Sequence, residues 1–179
     1  MLRLNNIVIV SALVALSGCS SSDIFDDVVV VNPIDYDVIE STPQSVVDRH
    51  NQIRGEVYTD SAVIWSDTVA STAQDYANYL ALTGTFEHDN SEYGENIYMS
   101  SLNTNYVNAI DSWYEEKVDY NYNDNSCSGV CGHYTQIIWK NTTEIGCGKA
   151  IYETGDFKGG TVIVCRYNPA GNYSGERPY

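Results

Sequence analysis

Two strand-forming runs near the C-terminus, Ile145 to Glu153 and Thr161 to Tyr167, flank a segment carrying Gly155-Asp156 and Gly159-Gly160. Apolar stretches on either side of such a glycine-containing turn form the pattern of a β-hairpin. Cys147 and Cys165 each lie nine residues from Asp156. A symmetric hairpin therefore sets them opposite one another. Cross-strand Cβ atoms lie about 4.5–5.5 Å apart, so a disulfide closes there with slight adjustment. Whatever else the chain builds must pack around this antiparallel pair.

Helical patterns come first in the chain. Thr42-Pro43 forms an N-cap and first helical residue, and Gly55 a stop, which places a helix over about 43–54. Val69, Ala73, Tyr76, Ala77 and Leu80 recur on one face of a second helix, about 67–82, ended by Gly84. A short strand follows around Asn96 to Met99. Asn105 caps a third helix running to about Val118, before a polar loop from Asp119 to Ser126. Tyr134 to Trp139 reads as a further strand, with His133 on its edge. Helices followed by an antiparallel sheet indicate an α+β domain.

The first 43 residues carry different signals. Arg3, the ten-residue run Ile7 to Leu16 and then Leu16-Ser17-Gly18-Cys19 make an export leader. Ten residues are too few for a helix across a bilayer, which needs about 20. The small residues before Cys19 resemble a bacterial lipobox, with residues 1–18 removed and Cys19 acylated. An ordinary signal peptide with an incidental cysteine is the alternative. Five cysteines are odd for an exported protein, and acylation of Cys19 leaves four. Ser20, next to it, is compatible with sorting to an outer membrane. Residues 19–43 form an acidic tether: from Ser20 to Pro43 there are six acids and no base.

The whole chain has nine basic and 24 acidic residues; loss of Arg3 leaves eight against 24, a net charge of −16 with neutral histidines. Such a charge argues against nucleic acid and against docking on anionic lipid through a basic patch. Residues 44–179 suit one domain with one core.

Two dense segments then stand out: Gly132 to Thr142, GHYTQIIWKNT, and Val162 to Tyr173, VIVCRYNPAGNY. They resemble, in order and spacing, the two signature segments of the CAP superfamily, which unites cysteine-rich secretory proteins, antigen 5 and group-one pathogenesis-related proteins. His50-Asn51-x-x-Arg54, Gly94-Glu95-Asn96 and Trp113-Tyr-Glu-Glu-Lys117 match as well, so the resemblance covers about Gln44 to Tyr179. It implies a three-layer α-β-α sandwich with a central antiparallel sheet. It also implies a cleft where two histidines and two glutamates meet, here His88, Glu95, Glu116 and His133. At about 100° per residue, Glu116 falls about 60° from Trp113, while Glu115 falls about 200° away on the solvated face. Glu116 is therefore the member of that pair expected to point inward.

Imidazole nitrogen and carboxylate oxygen together suit zinc or another divalent ion, with water completing the shell. Without metal, the same four make a hydrogen-bonded network. Tyr134 and Gln136 are expected to line the cleft. His50, with Asn51 and Arg54, is expected to tie the first helix to the fold through a polar network. Cys127 and Cys131 flank Gly129 and close a small ring before His133. Four cysteines allow three connectivities, and a cysteine metal cluster is the alternative, though an exported compartment favours oxidation.

Three functions follow from these expectations. The first is a surface-tethered module binding a lipid or sterol-like ligand, as the family implies. The second is a metal-dependent hydrolase of peptide or envelope polymer, using Glu95 or Glu116 as base. The third is an interaction scaffold presenting the loops Ser100 to Asn105 and Asp119 to Ser126. No nucleophile motif and no His-Glu-x-x-His helix is present, which weighs against the second.

Overall fold

The computed structural model describes residues 42–179. The leader, Cys19 and the tether as far as residue 41 lie outside the described residues.

The hairpin pairs β5 (Glu144–Ile151) with β6 (Thr161–Asn168) antiparallel. Its register sets Cys147 against Cys165, and the two are joined. β2 (Gly94–Ser100) adds antiparallel to the other edge of β6, from Gly94 opposite Tyr167 to Ser100 opposite Thr161. A two-residue strand, β1 (Ile64–Trp65), pairs parallel with β5, giving the order β1-β5-β6-β2. The sheet is thus mixed at one edge, where an antiparallel sheet was expected. Asn51 fixes that edge: its amide exchanges two hydrogen bonds with the backbone of Val63, at 2.8 and 2.9 Å.

β6 is buried along nearly its whole length, and its side chains alternate between two cores. Val162 and Val164 pack with Ala73, Ala77 and Leu80 of α2 (Asp67–Thr83). Ile163, Cys165 and Tyr167 face α1 (Pro43–Arg54), α3 (Tyr106–Glu115) and α4 (Gly132–Ile137) through Val46, Ile110, Trp113 and Ile137. This is the three-layer α-β-α sandwich.

Local chemistry sets the helix limits. Thr42 and Ser45 form a reciprocal capping box at the start of α1, with Pro43 at the first position. Gly84 takes a left-handed φ of 72° to end α2. Asn105 caps α3 through the Asn108 amide. The last turn of that helix tightens into a 3-10 turn, Glu116–Asp119, so α3 ends three residues before the expected Val118. The polar loop after it is closed by a small hairpin, β3 (Tyr120–Asn121) with β4 (Ser126–Cys127).

The segment Tyr134 to Trp139, expected as a strand, is helical at its start. Its β-branched residues favour extended structure, but distant groups cap both ends of the turn. The Glu116 carboxylate accepts the His133 and Tyr134 amides at 3.0 and 3.2 Å. Beyond the C-terminal end, Arg54 Nη1 donates to the carbonyls of Ile137 and Trp139 at 2.9 and 2.8 Å. Partners 17 and 83 residues away override the local preference.

His50 joins α1 to the sheet. With Nδ1 protonated it donates to the Val46 carbonyl at 2.8 Å, and Nε2 accepts from the Tyr167 hydroxyl at 3.0 Å. Asn96 donates to the same hydroxyl and to the His133 carbonyl, each at 3.1 Å, so the chain of bonds reaches α4. Burial pulls the His50 pKa down to about 4 from 6.5, aided by Arg54 and Arg49 and opposed by the Val46 bond. The native state therefore binds fewer protons than the unfolded chain between those values. Stability present above pH 6.5 is lost as the pH falls toward 4, by about 3 kcal/mol across the window. Subtracting the denaturation curve of His50→Gln from that of the parent should isolate this slope; a difference flat with pH contradicts it.

Candidate functional site

β2 and α3, with the loop after α2, bound a cavity of about 430 Å³. Phe86, Ile97, Met99 and Trp113 are the apolar part of its wall; Glu87, His88, Tyr98, Ser112, Glu116 and His133 line the rest. Each histidine is held by a carboxylate. His88 Nδ1 lies 2.8 Å from Glu95 Oε1, and His133 Nδ1 lies 2.5 Å from Glu116 Oε1. Carboxylate on Nδ1 fixes the neutral tautomer with Nδ1–H donating, so Nε2 is the nitrogen each ring keeps for a ligand.

The two pairs differ in how they are built. Glu116 begins the 3-10 turn and spends its carboxylate on α4: Oε2 takes two backbone amides while Oε1 takes the imidazole. His133 also stacks on Trp113, with centroids 5.9 Å apart and planes 17° from parallel. The Cys127–Cys131 disulfide ends at the N-cap of α4, two residues before that histidine. The side chain of Glu95, on β2, is only 6% exposed; it accepts from the Asp89 amide at 3.2 Å and faces Arg166 Nη2 at 3.4 Å. Arg166 in turn bonds Asp89. The bond to Glu95 raises the His88 pKa above its ordinary value, against a smaller lowering from partial burial.

Among the described residues the four expected ligands do not converge into one set. No group of three or more His, Cys, Asp or Glu side chains is placed to hold a metal ion. They form two His–Glu pairs, in which the carboxylates sit behind the imidazoles. The chemistry fits an open divalent site with two nitrogen donors and solvent; it does not fit a closed four-ligand cage. Nor does either glutamate stand free as a base, since each already accepts at least three hydrogen bonds.

Tyr134 and Gln136 do not line the cavity. Tyr134 is fully buried among the rings of Tyr114, Tyr120 and Tyr122. Gln136 is buried too, accepting from the Gly171 amide at 3.1 Å and reaching Thr142. Both were placed by a strand alternation that the helix replaces. All four cysteines of the domain are in disulfides, which excludes a cysteine metal cluster. Two participants went unread in the sequence. Arg166 and Asp89 brace Glu95, and the signal for the first was a lone cation inside an apolar strand run.

A helix–sheet–helix sandwich with paired histidines and glutamates in a cleft defines a known class. The chain belongs to the CAP family, the cysteine-rich secretory protein family, whose model matches residues 47–167. It is of the pathogenesis-related type. It is 39% identical over 140 residues to pathogenesis-related protein 1 of Arabidopsis thaliana, covering 78% of this chain and 84% of that protein. A PR-1 type protein of Sambucus nigra is 39% identical over 156 residues, covering 85% and 90%. Among solved structures, venom allergen-like protein 4 of Schistosoma mansoni has a TM-score of 0.61 at 24% identity, covering 79% of this chain and 95% of that one. A structure of NaASP2 with Zn2+ has a TM-score of 0.60 at 23% identity, covering 81% and 88%. At these identities the solved structures establish the fold.

Proposed function

We propose that the domain is an exported binding module whose cleft takes a small, largely apolar ligand, with His88 and His133 offering Nε2 to a divalent ion at its polar wall. The cavity itself carries this reading. Its volume of about 430 Å³ and its apolar patch of Phe86, Ile97, Met99 and Trp113 suit a lipid or sterol-like body, and its two imidazoles are oriented by carboxylates behind them. When bound, zinc would supply a Lewis acid or a fixed charge for a ligand's polar end. The protein's part is to hold the two imidazoles: Glu116 and Trp113 fix His133, while Glu95, braced by Arg166, fixes His88. The Zn2+ present with NaASP2, a neighbour in fold, supports the metal half of the reading. We further propose that acylation of Cys19 tethers the module to a bacterial outer membrane through the acidic segment.

Zinc titration followed by calorimetry tests the imidazole pair. The parent protein should bind one ion per chain, and the His88→Ala/His133→Ala variant none. Stoichiometric zinc retained by that variant removes the metal from the account, as does the absence of any binding by the parent.

A further inference from the structure

A second groove, of about 300 Å³, opens on the α2 side of the sheet and shares no lining residue with the cleft. It is lined by Thr72, Asp75, Tyr76, Tyr79, Asp89 and Arg166. The Tyr76 and Tyr79 rings lie stacked, centroids 5.8 Å apart and planes 13° from parallel, and Tyr79 is half exposed. The Arg166 side chain is only 6% exposed, with its guanidinium over the rings of Tyr76 and Tyr93. Its Nη2 carries both carboxylate bonds, to Asp89 and Glu95. Nε has no hydrogen-bond partner, and Nη1 donates to no group among the described residues.

We propose that this groove binds a single pyranose ring of a saccharide. The groove offers the unspent Nη1 of Arg166, carboxylate acceptors at Asp75 and Asp89, the Thr72 hydroxyl and an aromatic face; Arg166 Nε is sealed from solvent. Charge narrows the choice. Two carboxylates already meet the Arg166 cation, and Asp75 adds a third negative group, so an anionic ligand is repelled. A cationic ligand is drawn by that net negative charge, but it carries no acceptor for the Arg166 Nη1 and would leave that donor unmatched. A neutral ligand meets neither penalty if each of its polar groups both donates and accepts, as a hydroxyl does. Neighbouring sugar hydroxyls accept from Arg166 and donate to the carboxylates, in bonds that a charged partner strengthens. The ring's C–H face lies on Tyr79, a flat apolar surface that costs little side-chain freedom to use. The volume, at the low end of ligand pockets, suits one ring rather than a chain.

Saturation-transfer NMR on the full chain tests this with the methyl pyranosides of glucose, galactose, mannose and N-acetylglucosamine at ~10 mM, enough to fill a millimolar site. Ring C–H protons of at least one should receive saturation. Tyr79→Ala and Asp75→Asn should each weaken that binding roughly tenfold, the loss of one charged hydrogen bond or stacking contact. Both residues are exposed, so the variants keep the fold, which near-UV circular dichroism verifies. His133→Ala should leave the binding unchanged. The proposal is overturned by silence from all four sugars, by transfer that survives both groove substitutions, or by transfer lost in His133→Ala, which would assign the sugar to the cleft.

Discussion

Replacing Arg54 with alanine should cost about 4 kcal/mol and lower the thermal midpoint by roughly 15 °C, which leaves little of the marginal stability of a single domain. The residue is fully buried, and no carboxylate pairs with it among the described residues. Its charge is met by backbone dipoles. Nη1 takes the Ile137 and Trp139 carbonyls, Nη2 the Thr142 carbonyl at 3.2 Å, and Nε the Ser61 carbonyl at 3.1 Å. Alanine leaves these acceptors buried and unmatched, at about 1–3 kcal/mol each before relaxation. Lysine should rescue less than half of the loss, because one ammonium cannot span a fork of that shape. Urea denaturation of both variants measures it. A loss below about 1 kcal/mol for alanine would mean that the guanidinium is not what holds the signature segment down.

Gly146→Ala should be almost as damaging, for a different reason. A Cβ at Gly146 would stand 2.1 Å from the Ala70 nitrogen, and one at Gly148 2.3 Å from the Gln74 Cα. The α2 backbone rests directly on β5 along this row, which Ala150 continues. Backbone cannot yield as a side-chain tip can, so the helix must lift from the sheet. The expected cost is about 3 kcal/mol. Gly132→Ala supplies the control: nothing lies within 4 Å of its Cβ, so that change should stay within about 0.5 kcal/mol. Equal melting temperatures for the Gly146 and Gly132 variants would contradict the close approach.

The hairpin, the first helix and the α+β order were legible because their signals are local. Thr42-Pro43, Gly84 and the symmetry of Cys147 and Cys165 about Asp156 each act within a few residues of themselves. The helical turn at Gly132–Ile137 was not legible. Its β-branched residues point to a strand, and the groups that decide otherwise, Glu116 and Arg54, reach it only in the folded chain. The turn sets Tyr134 and Gln136 in the core, where a strand would set them on the cleft wall. The parallel strand Ile64–Trp65 is too short to leave a periodicity. The row Gly146, Gly148, Ala150 was in plain view; its meaning, a helix backbone in contact, needs the helix. Of the four cleft residues, sequence named the types. Only the geometry shows that Glu95 and Glu116 sit behind His88 and His133 rather than beside them.

The proposed function requires that the cleft bind a ligand or an ion. Mass spectrometry of the full chain purified under native conditions, before and after addition of zinc and a lipid extract, tests this most directly. The expected spectrum shows a stoichiometric apolar adduct or a bound divalent ion, with the ion absent from the His88→Ala/His133→Ala variant. A spectrum of the bare chain in every condition would contradict the account: the cavity would then be a packing gap, and the two His–Glu pairs no more than braces for α4 and the loop that carries His88.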